Sequence, residues 1–195
     1  MTILRQPIPA QPEHPVCHIR RARPADARAV IALQKVQFTA SRHLNTEPDE
    51  FRPRLWRTMR RLGLSQVTDT RPVFLAEKAP GGALIGLLES FHDPRSRLRH
   101  SLSFMLGVHP RWQGRGVGGA LLDRLISHVR DHPALERIEL HVHSDNDVAQ
   151  RLYHGRGFRL EGRRQAAVRF ADGRVVDDLI LALWPGGAPP ARPGP

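Results

Sequence analysis

The sequence is poor in features that mark several common classes of protein. Cys17 is its single cysteine, so the chain can form no internal disulfide, which fits a reducing cytoplasm. No run of about 18 apolar residues is present, so we expect no transmembrane helix and no membrane partner. Residues 1–15 lack the apolar segment of a secretory signal. No Cys/His grouping has zinc-ligand spacing, so the sequence predicts no metal site.

The basic charge is the strongest compositional bias. The formal net charge is +11, and the 30 basic residues include only two lysines, Lys35 and Lys78. Such a charge is typical of proteins that bind nucleic acid, but it also arises from scattered arginines. Aromatic residues make up only 6% of the chain and no basic helix stands out. We therefore expect no specific nucleic-acid partner, and we expect part of the charge to serve a phosphorylated cofactor.

The pattern of apolar residues predicts one mixed α/β domain over residues 16–184. The flanking residues 1–15 and 185–195 are rich in proline and are predicted to be disordered. The predicted order is β-α-α-β-β-β-α-β-α-β-β, with an antiparallel first half. Helices are predicted over residues 24–37 and from about 51 to 63, the second ended by Gly63. Asp172 and Gly173 predict a hairpin between the last two strands.

A glycine-rich turn at residues 113–119 lies between a predicted strand, residues 101–108, and a predicted helix, residues 116–130. Strand, glycine turn and helix together direct backbone N–H groups and a helix N-terminus at an anion. Gly114, Gly116 and Gly119 also match the dinucleotide fingerprint, with Glu139 twenty residues further on. That alternative fits less well, because the turn follows about a hundred residues of other elements and Glu139 lies inside the next predicted strand.

A longer set of residues gives a family resemblance. It comprises Leu106-Gly107-Val108-His109-Pro110, then Gln113-x-x-Gly116-x-Gly118, then Asn146-x-x-Ala149-x-x-Leu152-Tyr153 and Gly157-Phe158. In this order and spacing they resemble the GNAT superfamily of acetyl-CoA-dependent N-acetyltransferases, over about residues 17–184. Within the superfamily, the C-terminal stretch of residues 161–177 is most similar to the subgroup that acetylates amino acids, small amines or peptide amines. The resemblance implies the acyl-CoA N-acyltransferase fold, a bent, mostly antiparallel sheet whose central strands splay around CoA.

The resemblance also implies a role for individual residues. It predicts that acetyl-CoA, as cosubstrate, is bound by a set of eleven: Leu106, Gly107, Val108, Gln113, Gly114, Arg115, Gly116, Val117, Gly118, Gly119 and Asn146. Tyr153, the only tyrosine, is the predicted acid that protonates the departing thiolate. Glu89 is the predicted general base, acting directly or through water, with His109 as a weaker candidate.

The resemblance implies that a primary amine, from an amino acid, a small molecule or a peptide, attacks directly in a ternary complex. It leaves a homodimer possible. A non-catalytic CoA-sensing module, or a nucleic-acid-binding module on the same fold, stays open as the alternative.

Overall fold

The computed structural model describes residues 17–187, which form a single seven-stranded sheet with helices on both faces. The strands are β1 (His18–Arg21), β2 (Val73–Glu77), β3 (Leu84–His92), β4 (Ser101–Val108), β5 (Arg137–His143), β6 (Arg159–Arg169) and β7 (Val175–Leu183). The helices are α1 (Ala27–Ala40), α2 (Leu55–Val67), α3 (Val117–Asp131) and α4 (Asp147–His154). The predicted segment 1–15 and most of 185–195 lie outside the described residues.

The strands are arranged in the order β1-β2-β3-β4-β5-β7-β6. Every neighbouring pair is antiparallel except β4 and β5, which are parallel. The dinucleotide interpretation of the glycine turn requires a mostly parallel sheet, so this topology excludes it. Within residues 17–187, no helix has both the length and the apolarity needed to cross a membrane.

The parallel pair β4 and β5 separates soon after it begins. Pairing is limited to Ser101–Ser103 of β4 with Arg137–Glu139 of β5, although β4 continues to Val108. The other edge of β4 stays paired with β3 as far as Val108. From Phe104 onward, β4 therefore has backbone groups along one edge that no neighbouring strand satisfies.

Two apolar clusters hold the helices against the sheet. Because side chains alternate along a strand, successive residues of β2 and β3 enter different clusters. Phe74 and Leu88 join the cluster that contains the inner face of α3, whereas Leu75 and Leu87 join the one that contains α1 and Leu62 of α2. The central strands are thus buried on both faces. Several of the predicted site residues lie at the end of the sheet where β4 and β5 separate.

Some boundaries differ from the sequence prediction. The first helix begins with a 3-10 turn at Pro24–Asp26 and continues to Ala40, three residues beyond the predicted end. The prediction that Gly63 ends the second helix is wrong, since α2 continues to Val67. Gly63 instead faces Pro24, and a Cβ at this position would lie 3.5 Å from the proline Cγ. That distance is an ordinary van der Waals contact, so the glycine at this position has no structural explanation.

Candidate active site

A cavity of about 220 Å³ opens where β4 and β5 separate. Its wall is formed by α1 and the connection after it, by β3 and β4, by the start of the glycine turn, and by single residues of β5 and α4. Six residues predicted from the sequence lie on this wall: Glu89, Leu106, Gly107, Val108, Gln113 and Tyr153. Residues from five elements, far apart in the chain, therefore share one enclosed space.

The glycine turn has a backbone that favours glycine. Gly114 has φ +71° and Gly116 has φ +80°, both in the left-handed region. Gly116 is the N-cap of α3, and the first i to i−4 bond of that helix is donated by Ala120 to its carbonyl. The N–H groups before Ala120 therefore have no intrahelical acceptor. A Cβ on Gly114 would meet no atom within 4 Å, so open space faces this turn and an anion can approach its backbone.

Val117 and Gly119, two of the predicted cofactor-binding residues, pack against the protein and expose little to a ligand. Val117 is buried in the core under α3, so only its backbone can reach a ligand. Gly119 is buried against Arg156, whose Nη2 would lie 2.3 Å from a Cβ at that position. Arg156 in turn donates from Nε to Asp123 at 2.6 Å. Gly119 thus leaves room for the Arg156 guanidinium, which pairs with Asp123 of α3.

The unpaired edge of β4 is accompanied by a buried polar side chain. Gln37 of α1 lies over Gly107, where a Cβ would come within 2.6 Å of Oε1. Its Nε2 is buried and has no hydrogen-bond partner among residues 17–187. Buried polar atoms normally have a partner, so an unsatisfied donor on a cavity wall indicates a place for a ligand acceptor. Amide and carbonyl groups of an extended ligand could pair with this edge as an added strand does.

Tyr153, near the end of α4, lies on the cavity wall. Asn146 begins α4 by accepting from the N–H of Ala149 at 3.2 Å, and the helix then carries Tyr153 to the cavity wall. The ring is 8% exposed and packs edge-on against Phe104, with centroids 5.9 Å apart. Burial raises the pKa of the Tyr153 phenol to about 12. The hydroxyl is therefore neutral at ordinary pH and can donate a proton.

Glu89 lies on β3 at the same cavity and is 4% exposed. Burial raises the pKa of its carboxyl, and the charge of Arg61 opposes that increase. Nη1 of Arg61 lies 2.5 Å from Oε1, yet Oε1 accepts no well-aligned hydrogen bond from the described residues. The two groups therefore interact through charge alone, and the attraction is weakened by the 41% exposure of the arginine side chain.

His141 is a cavity residue that the sequence prediction missed. It lies on β5, and its Nδ1 is 2.7 Å from Oδ2 of Asp178 on the neighbouring strand β7. Asp178 is buried and acceptor-only when ionised, so Nδ1 carries the hydrogen and Nε2 keeps its lone pair. Arg164 supports the carboxylate at 3.0 Å. Nε2 makes no hydrogen bond within the described residues and lies 3.8 Å from Oε1 of Glu139, so one carboxylate orients the ring and a second lies nearby. An imidazole held in this way can act as a general base.

The remaining predicted residues lie outside the cavity wall. His109 accepts from the N–H of Arg111 at 3.2 Å and caps a 3-10 turn, which occupies its Nδ1. Arg115 extends over the Trp112 ring at 5.2 Å, beside the exposed glycine turn. Asn146 uses its Oδ1 as a helix cap, which leaves its amide nitrogen available to a ligand.

Comparison with known proteins gives consistent matches. A family model described as the acetyltransferase (GNAT) family matches residues 30–158. The L-amino acid N-acetyltransferase AaaT of Escherichia coli is 34% identical over 102 residues, which cover 52% of this chain and 62% of AaaT. The L-amino acid N-acyltransferase MnaT of the same organism is 33% identical over 173 residues, which cover 85% of this chain and 92% of MnaT. This chain thus spans less than two thirds of AaaT and nearly all of MnaT.

The fold has counterparts among solved structures. The structure of yncA from Salmonella typhimurium, described as a putative acetyltransferase with its cofactor acetyl-CoA, superposes with a TM-score of 0.76. The match covers 91% of this chain and 98% of that one, at 22% sequence identity. At this identity the likeness establishes the shared fold.

Proposed function

Because the chain belongs to the acetyltransferase (GNAT) family, we propose that it is an acetyl-CoA-dependent N-acetyltransferase acting on the primary amine of an amino acid or a related small amine. The observation that carries this proposal is the cavity at the separation of β4 and β5, which combines a tyrosine hydroxyl with a carboxylate-oriented histidine. The names of AaaT and MnaT, which both specify L-amino acids, support the acceptor class.

The residues present fit acetyl-CoA. We assign its pyrophosphate to the backbone N–H groups of residues 113–119, because open space faces that turn. The amide-bearing arm would pair with the free edge of β4 at Leu106–Val108, near the unsatisfied Nε2 of Gln37. When bound, acetyl-CoA would supply an acyl group activated as a thioester.

The chain would then move two protons. Nε2 of His141 is the proposed acceptor of the amine proton, because Asp178 holds the ring in the tautomer that leaves this nitrogen free. Glu89 remains the second candidate for this role. The Tyr153 hydroxyl is the proposed donor to the departing sulfur, since its burial keeps it protonated. The amine nitrogen gains the acetyl group and loses one proton, and CoA leaves as the thiol.

Direct attack is favoured over an acyl-enzyme. A cysteine nucleophile must be a thiolate, but burial raises the pKa of the Cys17 thiol and favours the protonated form. Cys17 packs in the core cluster beneath α3 and is not on the cavity wall. We therefore propose transfer within a ternary complex.

An amine panel tests the proposed reaction. We expect CoA release from acetyl-CoA to depend on an L-amino acid or small amine, with kcat in the range of about 1–10³ s⁻¹ for good acceptors. The panel should contain amino acids, N-blocked amino acids, polyamines and peptides. If the N-blocked forms react as well as the free ones, the acceptor assignment is wrong. Saturable acetyl-CoA binding with no acceptor at all would instead support the non-catalytic CoA-sensing alternative.

Thermal melting with paired glycine variants tests the cosubstrate site. Acetyl-CoA at 100 times its Kd should stabilise the native state by about 2.7 kcal/mol, and NADH at equal concentration should not. Gly114→Val should abolish this shift, because a side chain there would fill the space in front of the turn.

The matched control for this variant is Gly173→Val in the β6–β7 hairpin. Gly173 has φ +86°, and a Cβ added to it would also meet no atom within 4 Å, so both variants carry a similar backbone penalty. Gly173→Val should have a lower melting temperature than the wild type, and acetyl-CoA should still raise that temperature by the full amount. Equal shifts in both variants would place the pyrophosphate elsewhere.

A further inference from the structure

Three potential metal ligands converge beside the cavity, from parts of the chain that are far apart. His43 belongs to the connection between α1 and α2, His143 ends β5, and Asp145 lies in the turn before α4. One ligand atom from each residue lies within 4.8 Å of the others. Nδ1 of His43 is 3.4 Å from Oδ1 of Asp145.

The second histidine has a free lone pair in a buried position. His143 is 4% exposed, and its Nε2 is 2.6 Å from Oδ1 of Asn45. An amide oxygen only accepts, so Nε2 carries the hydrogen and Nδ1 is left with its lone pair. Nδ1 of His143 is buried without a hydrogen-bond partner in the described part of the chain, and so is Nδ1 of His43. Nδ1 of His43 lies near Oδ1 of Asp145 without a well-aligned hydrogen bond, and Nδ1 of His143 has no partner, so a cation between the three residues would satisfy both nitrogens.

Neighbouring side chains hold His143 and Asp145 in fixed orientations, as hydrogen bonds to the ligands of a metal site do. Asn45 fixes the tautomer of His143. Arg174 pairs with the other oxygen of Asp145, Oδ2, which leaves Oδ1 directed at His43. Arg174 is itself held over the Phe170 ring at 3.8 Å. Hydrogen bonds of this kind set the tautomer and the direction of metal-bound histidine and carboxylate groups.

We propose that His43, His143 and Asp145 bind a divalent transition-metal cation, with zinc as the ion that best suits two imidazoles and one carboxylate. At Zn–N and Zn–O distances of about 2.0–2.2 Å, tetrahedral ligand atoms lie roughly 3.3 Å apart. The His43–Asp145 separation of 3.4 Å is close to this value, and the ligand atom of His143, which lies within 4.8 Å of the other two, would move closer to complete the set. The fourth position is open to water.

The cation would tie the connection between α1 and α2 to the start of α4. His43 and Leu44 of that connection line the cavity, and Asp145 immediately precedes the cap residue of the helix that carries Tyr153. Binding would therefore fix one wall of the cavity relative to another. The proposal concerns metal binding alone and stands or falls independently of the proposed acetyl transfer.

Zinc titration of the tag-free full chain, after treatment with a chelator and in competition with a chromophoric chelator, tests this site. We expect one tight Zn²⁺ per chain. His43→Ala and Asp145→Asn should each weaken it by more than about tenfold, since each removes a ligand. Both residues lie on the surface connections of the fold rather than in its apolar core, so the variants should melt cooperatively.

The control variant is His132→Ala. His132 and His128 form a second histidine pair, on and just after α3, with ring centroids 5.9 Å apart, so this variant tests for zinc bound at the other pair. We expect it to keep wild-type affinity. The proposal is overturned if the wild-type chain shows no tight equivalent, if both cluster variants bind zinc as the wild type does, or if His132→Ala alone loses it.

Discussion

Replacing Tyr153 with phenylalanine should lower kcat by about 10²–10⁴-fold, the usual contribution of a positioned general acid. The phenylalanine ring keeps the edge-on contact with Phe104 and fills the same volume, so folding and acetyl-CoA affinity should change little. Steady-state kinetics with a good amine acceptor measures the loss, and acetyl-CoA melting shifts check that binding is retained.

The chemistry of the leaving group provides the control for this variant. The proton is needed because CoA departs as a thiolate, so acyl donors whose thiols are more acidic should lose less activity. Because burial raises the pKa of Tyr153 to about 12, the tyrosine is a neutral donor below that value. The ratio of wild-type to variant kcat should therefore stay nearly constant between about pH 6 and 9. Near-normal kcat in Tyr153→Phe would mean that solvent or another group supplies the proton.

The elements with strong local signals were predicted closely. The boundaries of β4 and β5 agree with the prediction, and α3 differs by one residue at each end. Here alternating or helical periodicity agrees with the burial that the fold imposes. The GNAT family and the bent, mostly antiparallel fold are confirmed by the family match, the strand order and the structural superposition.

Predictions failed where tertiary contacts outweigh local preference. Gly63 has the local character of a helix end, yet α2 continues through it to Val67, with Leu62 and Ser65 buried on either side. The sequence predicted a hairpin between the last two strands, but it did not reveal that the first of them, β6 (Arg159–Arg169), is irregular. That strand changes register against β7 twice, and Ala166 within it has φ 49°. Such irregularities shift the period of the side chains and hide a continuous strand.

The proposed general base, His141, could not be recognised from spacing. The partner of His141 is Asp178, 37 residues further along the chain, and the contact arises only because β5 and β7 are paired. In that pairing Asp178 of β7 lies opposite His143 of β5. His141, two residues before His143 on β5, is therefore a diagonal neighbour of Asp178. Asp145 follows His143 by only two residues, yet the sequence predicted no metal site, because no Cys/His grouping has zinc-ligand spacing. The third member of the proposed metal cluster, His43, is a hundred residues away.

Replacing His141 with glutamine should lower kcat/KM by about 10²–10⁴-fold with a good amine acceptor, if its Nε2 takes the amine proton. Glutamine is similar in size and polar, and the side chain of His141 is 42% exposed, so the fold should be retained. The acetyl-CoA melting shift gives the sharper result. It should be retained in His141→Gln, because the loss is expected in proton transfer and not in cosubstrate binding.

Glu89→Gln is the matched variant, because Glu89 lies on the same cavity wall and is the other candidate base. Its partner Arg61 is partly exposed, so removing the carboxylate should leave the arginine solvated and the fold intact. We expect Glu89→Gln to lose less activity than His141→Gln. The reverse order, with the larger loss in Glu89→Gln, would assign the base to Glu89. That outcome fits a carboxyl whose pKa is raised by burial, and it would leave the His141–Asp178 pair with a role in binding the acceptor.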